Sequence, residues 1–196
     1  MFQVRIHGRG GQGVVTAAEM LSLAAFDEGR FAQAFPSFGS ERTGAPVVSF
    51  ARIDDREIRL REPVMQPDAL IIQDPTLLHQ VDVFSGLAPD GYVLINSKRE
   101  FADLGLTDLW SHHDHTRLLT VPAGEFARQT VGRPMPNAAL LGGFAALSEL
   151  ISFQSVADAI RHTFPGEMGE RNVEAAHLAY DHVTNEVREL AHVPAG

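Results

Sequence analysis

The chain has 196 residues, 44% of them hydrophobic and 21% charged, the profile of a globular protein with room for one domain and a real core. Its formal net charge of −9 argues against general nucleic-acid binding, because a polyanion needs a basic surface. The absence of cysteine excludes disulfides, thiolate zinc sites, a cysteine nucleophile and ordinary iron–sulfur ligation by this chain. No signal peptide stands at the N-terminus, and no apolar run approaches the ~18 residues of a spanning helix. The expectation is a cytoplasmic chain with no nucleic-acid or membrane partner.

Phe2, Val4 and Ile6 alternate with Gln3 and Arg5, which predicts a first strand. The stretch "HGRGGQG", residues 7–13, follows it. Val14, Val15, Ala18, Leu21, Ala25 and Phe26 then recur at helical steps, which predicts a helix from Gln12 that Gly29 ends. Arg30 to Phe35 reads as a second strand, stopped by Pro36. Strand, glycine turn, helix and strand make a βαβ unit. Residues 36–46, "PSFGSERTGAP", read as a loop. In "VVSFARIDDREIRLR" two extended runs flank Asp54 and Asp55, which predicts a hairpin with these two as turn residues. "DALIIQD" (68–74), "GYVLIN" (91–96) and "RLLTVPA" (117–123) read as short buried strands. Asp74-Pro75 ends the first of them, at the edge where α/β folds put their sites.

The last third reads as helical. Pro136 and Asn137 precede "AALLGGFAALSELI", "SVADAIRHTF" is a short helix with Ser155 as its N-cap, and "GERNVEAAHLAYDHVTNEVREL" is a long one. Together these predict an α/β, Rossmann-like fold over residues 1–196, read as a single domain. Its sheet is mainly parallel and covered by helices on both faces, with a β-hairpin insertion and a helical C-terminal third.

The glycine turn has a physical use. Bare backbone turns sharply and lets N–H groups approach an anion, and the next helix adds the positive end of its dipole. A diphosphate suits such a turn. The pattern Gly8-x-Gly10-x-x-Gly13 has dinucleotide spacing, yet the same glycines also serve turning and close helix–sheet packing, and spacing leaves both readings open. A standard NAD site is disfavoured. It needs an acid at the end of the second strand, where this chain reads Phe35-Pro36-Ser37-Phe38. No lysine followed by Ser or Thr makes a Walker loop.

In "SERTGAP", Arg42 offers a cation and Glu41 a group to orient it, against the alternative of a solvated ion pair on a surface loop. "SHHDH" (111–115) has ligand chemistry, but neighbouring side chains diverge, and no metal site is expected. His7 reads as a packed strand-end histidine. No G-x-S-x-G elbow is present, and no residue of this chain is expected to be catalytic.

Four stretches, "HGRGGQGVVTAAEMLSLAA", "QAFPSFGSERTGAPVVSFARI", "DALIIQDPTLL" and "PNAALLGGFAAL", resemble in this order the gamma subunit or domain of 2-oxoacid:ferredoxin oxidoreductases. The resemblance is dense over residues 2–150 and looser beyond. It implies a multisubunit enzyme that oxidatively decarboxylates a 2-oxoacid to an acyl-coenzyme A. Thiamine diphosphate carries the carbanion chemistry and iron–sulfur clusters carry the electrons. This chain has neither a Gly-Asp-Gly segment nor cysteine. Thiamine diphosphate, Mg and the clusters are therefore implied for partner alpha, beta and delta chains. Ferredoxin or a flavin/NAD subunit is the implied electron acceptor.

The resemblance also implies coenzyme A at or near this subunit. Gly8, Arg9, Gly10, Gly11, Gln12 and Gly13 would face its phosphates or an adjacent subunit. Ser40, Glu41 and Arg42 would lie alongside, and Asn137 would cap its helix or line an interface. Pyruvate enzymes of this kind carry two basic residues where Glu41 and Arg42 align, so the acidic first position is a departure that leaves Arg42 as the cation. The competing readings are a stand-alone nucleotide- or coenzyme-binding module and a self-contained NAD-dependent dehydrogenase.

Overall fold

A computed structural model describes residues 1–37 and 43–192. Six strands form one sheet in the order β2-β3-β1-β4-β5-β6. They are β1 (Phe2–Arg9), β2 (Phe31–Pro36), β3 (Pro46–Asp54), β4 (Ala69–Ile72), β5 (Tyr92–Asn96) and β6 (Leu118–Val121). β1, β4, β5 and β6 pair in parallel, as the short apolar runs predict. β3 is antiparallel to both β1 and β2. The predicted βαβ unit is therefore present with a strand wedged into it: β1, α1 (Val14–Asp27) and β2 follow in the chain, but β3 separates the two strands.

The side chains of each strand alternate between two cores. Val4, Ile6, Ala51, Ile53, Ile71, Leu94 and Val121 face a helical layer, while Leu70, Ile72, Val93, Ile95 and Leu118 face the other side. The helical layer holds α1, α3 (Ala123–Val131), α4 (Asn137–Ser148), α5 (Phe153–Thr163) and α6 (Glu167–His192). α4 is apolar all round because it lies between the sheet and α6, and ten of its twelve residues are buried. Gly142 lets the Ala176 carbonyl of α6 rest directly on the α4 backbone, where any Cβ would collide with it. The second face carries a 3₁₀ turn at Pro75–His79 and the short α2 (Thr107–His112), so its cover is thinner than the expected helices on both faces, while a further 3₁₀ turn, His115–Arg117, lies against α4 and α6.

The expected hairpin at Asp54-Asp55 is not formed. Arg56 to Arg61 makes no strand, because β3 already has β1 on one side and β2 on the other and offers no free edge. Asp54 instead meets the terminal amine of Met1 at 3.2 Å, and Asp55 meets Arg30 at 3.1 Å. Buried arginines hold the following segment in place of a ladder: Arg52 donates to the Glu62 carbonyl, and Arg5 to the carbonyls of Val64 and Val83. The α5 N-cap is Ser152 rather than Ser155. Its hydroxyl accepts from the Ser155 N–H at 3.1 Å, because the helix begins at Phe153, three residues earlier than an N-cap at Ser155 implies. Among the described residues no helix is long and apolar enough to cross a membrane.

Candidate functional site: the glycine loop and its clamp

β1 ends at Arg9 and α1 starts at Val14, so the glycine loop lies at the carboxyl edge of the parallel strands. Each glycine has its own reason. A Cβ on Gly8 would stand 2.5 Å from Val14 Cγ2, so Gly8 lets α1 close onto the sheet. Gly10 joins the second loop: its N–H donates to the Ala45 carbonyl at 2.9 Å, and its carbonyl accepts from Gly44 N at 3.0 Å. Gly11 is exposed at the apex with φ +90°, which an L side chain rarely adopts. Gly13 is the N-cap of α1 in the left-handed region, and no side chain caps the helix there. Its first-turn N–H groups lie outside the helical ladder, as at any helix start. Some of the glycines therefore serve packing, while the apex and cap present bare backbone.

The side chains around the loop form a clamp. Arg9 Nε donates to Asp74 Oδ2 at 3.1 Å, its Nη1 to the Gly44 carbonyl at 3.0 Å, and its Nη2 to Thr76 Oγ1 and Gln80 Oε1 at 2.7 and 2.9 Å. Gln12 folds back, accepting from Arg9 N–H at 2.8 Å and donating to Asp74 Oδ2 at 2.9 Å. Gln73 Nε2 donates to the Gln12 carbonyl at 2.7 Å. Burial alone would raise the pKa of Asp74. Hydrogen bonds from Thr76 and Gln12 and the charge of Arg9 outweigh it and hold the carboxyl below its ordinary range. Every guanidinium nitrogen of Arg9 is thus engaged within the protein.

Asn137 belongs to the same cluster. It is buried, and its Nδ2 donates to the Gly13 carbonyl at 3.4 Å while its Oδ1 accepts from Ala138 N–H at 2.9 Å. The starts of α1 and α4 therefore converge, with Asn137 behind Gly13. Asn96 extends the frame, donating to the Gln73 carbonyl at 2.9 Å and accepting from Gly124 N–H of α3 at 3.0 Å. Thr43 to Ala45 lie against the glycine loop, while Ser40, Glu41 and Arg42 fall outside the described residues. Gln73, Asp74, Thr76 and Gln80 are the site residues that sequence reading left without a role. Asp74-Pro75 carries a visible capping signal, since Asp74 accepts from Thr76 N–H, but its reach to Arg9 spans 65 residues.

His7 is buried beneath the loop, and its Nε2 accepts from Arg5 Nε at 3.1 Å. Burial, then the charge of Arg5, pushes its pKa down from 6.5 to about 4. Between those values the unfolded chain binds a proton that the native chain refuses, so stability rises with pH across this window and is lost as pH falls through it. The contribution is about 3 kcal/mol. His7→Gln is expected to flatten the stability curve between about pH 4 and 6.5, read from urea midpoints. An unchanged slope would refute the assignment. In the "SHHDH" stretch, His115 stacks on Trp110 at 4.0 Å and Asp114 accepts from Thr116 N–H, and no metal-holding cluster occurs among the described residues.

A glycine loop and two helix starts, gathered at the carboxyl edge beside the β1–β4 switch point, define the chain as a Rossmann-like α/β protein with its candidate site at the edge where such folds hold ligands. The family model described as pyruvate ferredoxin/flavodoxin oxidoreductase matches residues 3–182, and the chain belongs to that family as a gamma-type subunit. It is 45% identical over 183 residues to pyruvate synthase subunit PorC of Methanothermobacter thermautotrophicus, covering 93% of this chain and 96% of that one. It is 45% identical over 181 residues to the common gamma subunit of the pyruvate/ketoisovalerate oxidoreductases of Pyrococcus abyssi, covering 92% and 96%. The crystal structure of pyruvate oxidoreductase subunit PORC from Thermotoga maritima superposes with a TM-score of 0.77 at 32% identity, covering 92% of this chain and 95% of that one.

Proposed function

We propose that residues 1–196 form a single gamma-type domain that builds one wall of the coenzyme A site in a cytoplasmic 2-oxoacid oxidoreductase, without holding its reacting centre. The carrying observation is the clamp: Arg9 and Gly10 lock the glycine loop to residues 43–45, so two loops from separate parts of the chain form one surface. The fit to a diphosphate rests on the open apex at Gly11 and the side-chain-free cap at Gly13. With no cysteine, the chain cannot hold an iron–sulfur cluster by thiolates. Partner alpha, beta and delta chains supply thiamine diphosphate with Mg and the clusters, and ferredoxin or a flavin/NAD subunit receives the electrons. Bound thiamine diphosphate supplies the carbanion stabilisation for decarboxylation.

The part left to this chain is positioning. Backbone N–H groups of the loop and of the α1 start bind the coenzyme's phosphates. Gln12 and Asp74 hold that backbone fixed, and Arg42, flanked by Ser40 and Glu41, adds the cation. Fixing a substrate by its remote phosphates delivers its reacting end in a defined orientation. In the assembled enzyme, Arg42→Ala is expected to raise the KM for coenzyme A with little change in the KM for the 2-oxoacid. Equal values for both substrates in variant and parent would count against the assignment.

A further inference from the structure

β6 closes one edge of the sheet. Ser97 N–H donates to the Val121 carbonyl at 3.0 Å, so Val121 turns its backbone polar groups toward β5. Polar groups along a parallel strand alternate sides residue by residue, so Thr120 turns its N–H and C=O outward. Among the described residues neither group has a hydrogen-bond partner. An open ladder of this kind is a template for another chain.

This edge is not flat. It forms one wall of a cleft of about 520 Å³ between the C-terminal half of α6 and the segment from Ser97 to Trp110. Phe101, Trp110 and Leu190 give the cleft an apolar lining, and Trp110 is the sole tryptophan of the chain. Three carboxylates, Glu100, Glu125 and Glu186, also line it, together with Lys98 and His182. Lys98 is already paired with Glu125. That leaves Glu100 and Glu186 without an ion pair among the described residues. At the opposite sheet edge β2 carries exposed Phe31 and the adjoining α1 exposed Phe26, but there is only a shallow groove with Glu19 as its one charge, and nothing there selects an occupant.

We propose that the β6 cleft receives an extended, basic segment of a partner subunit, which adds a strand to β6. Its backbone pairs with the outward N–H and C=O of Thr120. An apolar side chain rests on Trp110, the residue type most enriched at the energetic centres of interfaces. A lysine or arginine meets the Glu100 and Glu186 carboxylates. Main-chain pairing supplies the affinity in such strand addition, and the side-chain pockets supply the choice of partner. The proposal rests on the gamma-subunit reading only in requiring that a partner subunit exists. The cleft stands apart from the glycine loop, with β4 and β5 between β1 and β6.

The chain offers its own probe, because Lys98 is its only lysine and its side chain is 63% exposed. An amine-acetylating reagent is applied to the purified native complex and to the same complex dissociated in urea. Exposure of 63% allows only slight intrinsic slowing, whereas a seated strand excludes solvent and is expected to slow labelling of Lys98 at least about ten-fold. A carbodiimide is expected to couple Glu100 or Glu186 to a lysine of another subunit, located by mass spectrometry. The pair Glu100→Lys and Glu186→Lys is expected to release the chain from the complex at lower salt than the control pair Glu19→Lys and Asp27→Lys on α1. Lys98 labelled at nearly the same rate in an intact complex would overturn the cleft proposal and leave the gamma-subunit reading standing. Protection with cross-links only to a second copy of this chain would overturn it in favour of self-association. Recovery of the chain with no partner would overturn both.

Discussion

Asp74→Ala in the assembled enzyme is expected to raise the KM for coenzyme A about ten-fold, equivalent to about 1.4 kcal/mol of lost binding. The KM for the 2-oxoacid is expected to stay near its parent value. Asp74 touches no ligand in this reading. It is a positioning residue that joins Arg9, Gln12 and Thr76, and through Arg9 it holds residues 43–45 to the glycine loop. Its side chain is 14% exposed and that of Arg9 20%, so deletion strands partly buried donors and lowers stability by about 1–3 kcal/mol. Asp74→Asn keeps an acceptor for Thr76 while losing the charge, and is expected to fall between parent and alanine variant in both measurements. A variant less stable than the parent but with an unchanged coenzyme KM would show that the clamp is structural only.

The second large effect is expected at Gly13. Gly13→Ala places a Cβ at φ +67°, which costs an L residue about 1–2 kcal/mol. The same Cβ would stand 2.5 Å from Asn137 Nδ2 and 3.3 Å from its Cγ, both in a buried side chain. Strain and overpacking together are expected to cost about 2–4 kcal/mol. Asn137→Ala removes the obstructing amide, so the double variant is expected to lose less than the sum of the single losses, by about 1 kcal/mol or more. Urea unfolding of the four proteins measures the coupling. Additivity within about 0.5 kcal/mol would mean that the two residues do not press on one another.

The parts of the fold that were legible from sequence rest on local signals. Alternation gave β1, the glycine run marked the turn, and the apolar steps from Val14 gave α1. The short runs at Ala69, Tyr92 and Leu118 gave the parallel core, because strands buried on both faces must be apolar throughout. Asn137 was singled out through the family resemblance, and the structure brings it to the loop. What stayed hidden is long-range. Nothing near Asp54 says that β3 turns back between β1 and β2, since an extended run carries no mark of its neighbours. α3 was missed because its nine residues carry only two fully buried ones, both alanine. Asp74 reads as a strand end, and only the folded chain brings Arg9 to it.

The insertion of β3 also bears on the order in which the molecule comes together. Gly8 faces Val47 and Arg9 faces Pro46 only because β3 lies beside β1, and β2 reaches the sheet only through β3. A chain extended only through β2 holds two strands with no partner for each other. Closing β1 against β3 and then against β4 spans about 45 and 65 residues, and such non-local pairings bear the loop-closure cost that slows folding. The surface that joins the glycine loop to residues 43–45 thus forms only after these long-range pairings close. A nascent or partly melted chain has its glycine loop intact in sequence and no site to show for it.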